Sequence, residues 1–114
     1  MKRIRIVEVG PRDGLQSINS IIPTKQKVEY IDRLTLAGLS EIEVTSFVSQ
    51  KWVPQLADSF DVSNVITKDP AITYTALVPN EKGLDRALDA DYTSISVLAS
   101  TSETFSKKNT NTSI

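Results

Sequence analysis

The sequence contains no cysteine and no histidine. The first absence excludes disulfides, cysteine–zinc sites and a cysteine nucleophile within these 114 residues. The second excludes a Ser-His-Asp triad and every histidine-bearing metal cluster, unless another chain supplies the missing groups. Charge of one sign is not in surplus either. Thirteen Lys+Arg against fourteen Asp+Glu leave a formal net charge of -1, so nothing points to nucleic acid or an anionic membrane as partner. Long apolar runs are missing, where a bilayer span needs roughly 20 residues. Met1-Lys2-Arg3 leads directly into alternating Ile4, Ile6 and Glu8, without the apolar stretch of about 7–15 residues that marks a signal peptide. The cytoplasm is the expected compartment. The 39% hydrophobic and 24% charged residues that are present suit a folded soluble domain rather than a disordered chain.

Along the chain, two periodicities alternate. Residues 3–9 are rich in β-branched side chains and read as a strand, broken by Gly10-Pro11. A loop runs to Pro23. Thr24 is a plausible N-cap for a helix to Ala37, with Val28, Ile31 and Leu34 on one face, Ala37 extending it, and Gly38 as the stop. Residues 41–45 alternate again and predict a second strand. A loop with Pro54 precedes a helix over 58–68 with Val62, Val65 and Ile66 as its apolar stripe, ended by Asp69-Pro70. Residues 72–78 predict a third strand. A helix over 81–90 follows, with Leu84, Ala87 and Leu88 facing inward, then a fourth strand over 93–98 and a polar tail from Ser100. The order βαβαβαβ, with no hairpin signal, implies a parallel α/β sheet with right-handed crossovers. Units of about 30 residues fit an eight-fold barrel of ≈250 residues. An open doubly wound sheet has similar units, and periodicity does not separate the two.

Loops after parallel strands converge on one face, where sites are built. Arg12-Asp13-Gly14 follows the first strand. Asp13 offers a hard oxygen ligand for a divalent cation, and Arg12 a planar fork for an enolate or carboxylate. The alternative is an Asx-turn before Gly14 with Arg12 solvated. On the second strand, alternation sets Ile42 and Val44 on one face and Glu41, Glu43 and Thr45 on the other. Glu43 is then either an inward carboxylate paired with Arg12 or an edge residue facing water. The loop over 45–55 carries Trp52, the one tryptophan, and either covers a substrate or plugs the end of the fold with Phe47, Trp52 and Val53. Lys107-Lys108-Asn109 can meet an anion or be solvated. The aspartates at 58, 61, 69, 85, 89 and 91 read as helix-end and surface carboxylates.

Several segments are specific. Val7-Glu8-Val9-Gly10-Pro11-Arg12-Asp13-Gly14-Leu15-Gln16 resembles the opening of the 3-hydroxy-3-methylglutaryl-CoA lyases. The match continues through Ala37–Ser40, Ile42–Ser49, Lys51–Gln55, Leu77–Asn80, Ser102-Glu103 and Phe105–Asn109, in the same order. Arg-Asp-Gly alone also fits the wider superfamily of isopropylmalate and homocitrate synthases. Pro11 and the segment Thr45–Gln55 discriminate. Ser17-Ile18, Gln50 and Asp89-Ala90-Asp91 depart from the pattern without touching Arg12, Asp13 or Glu43.

The resemblance implies the N-terminal half of a TIM barrel, with residues 1–114 forming part of a single, apparently truncated domain. It implies metal-dependent cleavage of 3-hydroxy-3-methylglutaryl-CoA to acetyl-CoA and acetoacetate, the chemistry of leucine breakdown and ketone-body formation. By the same resemblance, Asp13 is a ligand for Mg²⁺ or Mn²⁺ and assists proton transfer. Arg12 stabilises the enolate oxygen and binds substrate, and Glu43 holds Arg12 or the metal's water shell. Gln16 and Asn109 contact substrate. The acyl-CoA is the partner, with neither nucleic acid nor membrane, and the full-length enzyme is expected to be a homo-oligomer. The family's His-x-His pair, its Asn and the Cys of a Gly-rich loop have no counterpart in this sequence, so residues 1–114 alone are expected to be inactive. The alternatives are a Claisen-type acyl-CoA synthase on the same barrel and a non-catalytic half-barrel that binds a partner.

Overall fold

The structure, a computed structural model, describes residues 2–99. Three parallel strands, β1 (Glu41–Ser46), β2 (Thr73–Val78) and β3 (Ile95–Val97), lie in consecutive order. Helices α1 (Thr24–Leu36), α2 (Ser59–Val65) and α3 (Glu81–Asp89) alternate with them. The predicted first strand does not form a ladder. Only Glu8 pairs, in a parallel bridge to Ile42, through Glu8 N–H to Glu41 O (3.0 Å) and Glu43 N–H to Glu8 O (2.9 Å). Ile4 and Ile6 are exposed at 89% and 68%, because nothing among the described residues lies on their far side to pair or pack with them. The bridge nonetheless fixes the topology. The first segment lies outside β1 rather than between two strands, so the sheet winds in one direction and the doubly wound alternative fails.

One core lies between the sheet and its helices. Ile42, Val44, Tyr74, Ala76 and Val78 from the strands meet Ile31, Val62 and Ala87 from the three helices. Full burial of an Ile or Val side chain contributes roughly 1.5–3 kcal/mol, so this layer dominates stability. Phe47 closes its upper end, edge-on to Tyr92 with ring centroids 5.8 Å apart. Burial pushes the Tyr92 hydroxyl up to about 12, only partly offset by its hydrogen bond with Ser63.

The helices are shorter at their ends than the pattern suggested, and some stripe positions turn outward. Val65 and Leu88 are exposed at 61% and 58%, while Val62, Ile66 and Ala87 fill the core. Ala37 is likewise exposed, just before Gly38 stops α1 at φ +85°. Thr24 is not the N-cap of α1. Pro23 takes that position in an extended conformation, and the Thr24 hydroxyl donates to Asp58 Oδ2 (2.6 Å) instead. Asp58 is thereby no idle surface carboxylate. It also accepts from the buried Lys27 Nζ (2.7 Å), which in addition donates to the Gln55 carbonyl. Gln55 in turn accepts from Ile22 N–H and donates to the carbonyls of Ile18 and Ser20. This cluster ties the loop before α1 to the loop before α2.

The face of the sheet away from the helices is polar. Arg5 Nε lies 3.1 Å from Glu41 Oε2, but without hydrogen-bond geometry. Thr75 Oγ1 is buried with no hydrogen-bond partner among the described residues.

Candidate active site

A cavity of about 650 Å³ opens at the C-terminal ends of the strands, within the usual size range of small-molecule sites. Four chain segments build it. The first is the turn Gly10–Gly14, a single π-helical turn in which the N–H groups of Arg12, Asp13 and Gly14 all converge on the carbonyl of Val9. Such turns are rare and recur at functional sites. This one throws Arg12 back over the sheet. Its Nε donates to Glu43 Oε1 at 2.5 Å, and its Nη1 lies 3.3 Å from Asp13 Oδ1.

Glu43 is 5% exposed and sits mid-strand, so the edge-facing alternative is excluded. A buried carboxylate needs a charged or hydrogen-bonding partner, and the sequence separation of 31 residues shows that the fold supplies it. The second oxygen, Oε2, accepts from Ser96 Oγ at 3.3 Å. Asp13 stands at the rim with its side chain 67% exposed, and Gln16 lines the same cavity. Asn109, Lys107 and Lys108 lie outside the described residues.

The loop after β1 divides its aromatic residues. Phe47 belongs to the core, whereas Trp52 is 56% exposed and forms the cavity wall with Val53 and Val48. Of the three residues expected to plug the end of the fold, only Phe47 does so, while Trp52 and Val53 line the cavity. Leu77, Pro79, Val97 and Leu98 complete an apolar side opposite the charged one.

Alternation misplaced one residue and missed two. The pairing of β1 with β2 shifts between Glu43 and Thr45, an irregularity that leaves Val44 without a register partner. Thr45 is not on the face of Glu43. Its Oγ1 lies 2.7 Å from Ser59 Oγ on α2, on the helix side. Ser46 turns to the cavity in its place, aligned with Leu77. A bulge beside a site re-aims side chains in this way, and nothing in Glu-Val-Thr-Ser announces it. Ser96 carries no signal of its own, since the strand pattern there rests on its apolar neighbours Ile95 and Val97.

Among the described residues, no group of three or more His, Cys, Asp or Glu could hold a metal ion. No helix there is long and apolar enough to cross a membrane.

The HMGL-like family profile matches residues 3–114. The chain belongs to that family. It is 54% identical over 113 residues to the mitochondrial hydroxymethylglutaryl-CoA lyase of Rattus norvegicus, covering 99% of this chain and 35% of the relative. Relatives of this similarity carry both mitochondrial and cytoplasmic names. Among solved structures, an HMG-CoA lyase from Bacillus subtilis superposes with a TM-score of 0.92 at 47% identity, covering 99% of this chain and 38% of that one. An HMG-CoA lyase from Acinetobacter baumannii, solved with coenzyme A and 3-methylmalate, gives 0.92 at 38% identity, with coverages of 96% and 36%. The HMGL-like chain thus spans little more than a third of its relatives, and its three strands and helices match the N-terminal part of their TIM barrels.

Proposed function

We propose that these residues form the N-terminal part of a single barrel domain that cleaves 3-hydroxy-3-methylglutaryl-CoA to acetyl-CoA and acetoacetate. One observation supports this reading above the others. A guanidinium is held by a buried carboxylate at 2.5 Å, beside a cavity with one charged and one apolar side. Arg12 has five N–H donors, of which Glu43 and Asp13 occupy two. The others remain for an oxyanion. In the reaction the tertiary hydroxyl loses its proton, the carbon–carbon bond breaks, and its electron pair becomes the enolate of acetyl-CoA, which is then protonated. Asp13 accepts the hydroxyl proton in this reading. Arg12 donates to the enolate oxygen as negative charge grows there, which favours the transition state over the bound substrate. Glu43 keeps the guanidinium aimed, and Gln16 and Asn109 contact substrate.

The divalent metal implied by the family, Mg²⁺ or Mn²⁺, takes oxygen ligands. Asp13 fits as one such ligand, since its carboxylate is exposed at the cavity rim with one oxygen uncommitted. One carboxylate does not enclose an ion, so further ligands belong to residues beyond those described. When bound, the ion would polarise the substrate oxygens. The same proposal includes an acyl-CoA substrate, a homo-oligomeric complete enzyme, a place in leucine breakdown and ketone-body formation, and a cytoplasmic location, for which the relatives so named are the support.

The test is acetoacetate formation from 3-hydroxy-3-methylglutaryl-CoA by the complete polypeptide carrying this sequence, with Mg²⁺ or Mn²⁺ present. Absence of turnover sinks the proposal. Condensation of acetyl-CoA with a 2-oxo acid would assign the chain to the synthase chemistry instead.

A further inference from the structure

The strand β3 contributes one polar side chain to the site, and the lyase reading gives it no task. Ser96 lines the cavity, aligned with Leu77 of β2, and its Oγ donates to Glu43 Oε2 at 3.3 Å. The two oxygens of Glu43 therefore have different partners on different elements. Arg12 of the π-helical turn takes Oε1, and Ser96 of β3 takes Oε2.

A carboxylate held at one oxygen is free to turn about its last torsion, which is broad and roughly two-fold. That rotation would carry Oε1 out of line with Arg12 Nε, and the guanidinium would follow or lose its partner. A second donor at Oε2 fixes the carboxylate plane. Among the described residues no other side chain donates to Oε2. Thr75 is the register partner of Glu43 on β2, and its hydroxyl makes no hydrogen bond among the described residues.

We infer that Ser96 is a positioning residue for Arg12. By holding Oε2 it sets the plane of Glu43, and through Glu43 the direction of the guanidinium edge that meets the developing oxyanion. This rests on the lyase reading.

The test compares Ser96→Ala, Ser96→Thr, Glu43→Gln and the double variant Ser96→Ala/Glu43→Gln in the complete polypeptide, with kcat and KM for 3-hydroxy-3-methylglutaryl-CoA. Ser96→Ala should lower kcat about tenfold, the lower range for a hydrogen bond to a charged group, with KM changed less than about twofold. Ser96→Thr, which keeps the hydroxyl, should recover kcat to within about threefold of the parent. In the Glu43→Gln background, Ser96→Ala should cost less than about twofold, because residues acting through one group are not additive.

Three results overturn the inference. One is a kcat for Ser96→Ala within about twofold of the parent. Another is an equal loss in both backgrounds, and the third is a rise in KM at constant kcat, which would make Ser96 a substrate contact. Failure of the underlying reading looks different: the parent makes no acetoacetate, or Arg12→Gln retains full kcat.

Discussion

Replacing Arg12 by Gln tests the chemistry and the architecture together. The guanidinium spends its Nε on Glu43 and one Nη1 hydrogen on Asp13, leaving about three of its five N–H groups to face the cavity. Glutamine keeps a planar amide but has no charge and a shorter reach. The expected loss in kcat is about 10²–10³, or ~2.7–4 kcal/mol, the range for removing one preorganised oxyanion donor. KM should move far less, because an interaction made mainly in the transition state has that signature. The fold is also charged a price. Glu43 has a side chain only 7% exposed and would keep Ser96 as its remaining donor. Breaking a buried pair costs about 3–5 kcal/mol, and the open cavity beside Arg12 argues for the lower end. The assay is therefore saturation kinetics on the complete polypeptide, with the folded fraction measured by circular dichroism on the same sample. Arg12→Lys serves as control. It keeps the charge but loses the fork, so its kcat should fall between the two. A kcat for Arg12→Gln within about twofold of the parent, in fully folded protein, would refute the oxyanion role.

Three further outcomes concern the scaffold. Lys27→Met removes both bonds from a buried ammonium, to Asp58 Oδ1 and the Gln55 carbonyl, and should lower the unfolding free energy by about 2–3 kcal/mol in urea titrations; an unchanged midpoint would show the tie to be dispensable. Gly83→Ala sets two effects against each other: a helix gains about 1 kcal/mol from alanine, but the new Cβ would lie 2.6 Å from the carbonyl oxygen of Phe47. The clash with backbone should win by about 1–3 kcal/mol, visible as a lower melting temperature, and a higher one would contradict it. Tyr92 is raised from 10.0 to about 12 by burial, so the stabilisation it carries is complete below about pH 10 and is lost as pH rises from 10 toward 12, when the unfolded chain ionises first. The span is on the order of 3 kcal/mol; denaturation series on the parent and Tyr92→Phe should differ in slope there, and identical slopes would exclude Tyr92 as the cause.

The elements legible in the sequence are those whose partners lie within the described chain. The helices and the strands β1 and β2 each have an apolar set that meets one common core, so periodicity and packing agree, while β3 forms by pairing with β2 although its Ile95 and Val97 are exposed at 39% and 74%. The first segment has the same β-branched pattern, yet pairs only at Glu8. A strand forms where a neighbour takes up its ladder groups over several residues, and pattern alone does not supply that pairing. Val65 and Leu88 fail for a related reason. Val65 lies one position before Ile66 and Leu88 one position past Ala87, the residues that reach the core, and a stripe read from three residues leaves its centre undetermined by that much. Thr24 illustrates a third kind of miss: a good capping residue taken by a tertiary partner, Asp58, on another loop.

The candidate site divides along the same physical line. Arg12 and Glu43 could be paired on paper because strand order and spacing bring the turn after one strand over its neighbour, and two opposite charges buried there have few other partners. The serines could not. Ser46 reaches the cavity only because the register slips between Glu43 and Thr45, which exchanges the faces of every residue after the slip. That exchange is anchored from the helix side. Thr45 Oγ1 lies 2.7 Å from Ser59 Oγ, which also lies 2.7 Å from the Ser46 carbonyl, so α2 holds both residues that follow the slip. The bulge is thus a property of the contact between β1 and α2 rather than of the strand's own residues. Alternation describes a strand up to the point where another element pulls on it. In this chain that point falls immediately after Glu43, beside the cavity.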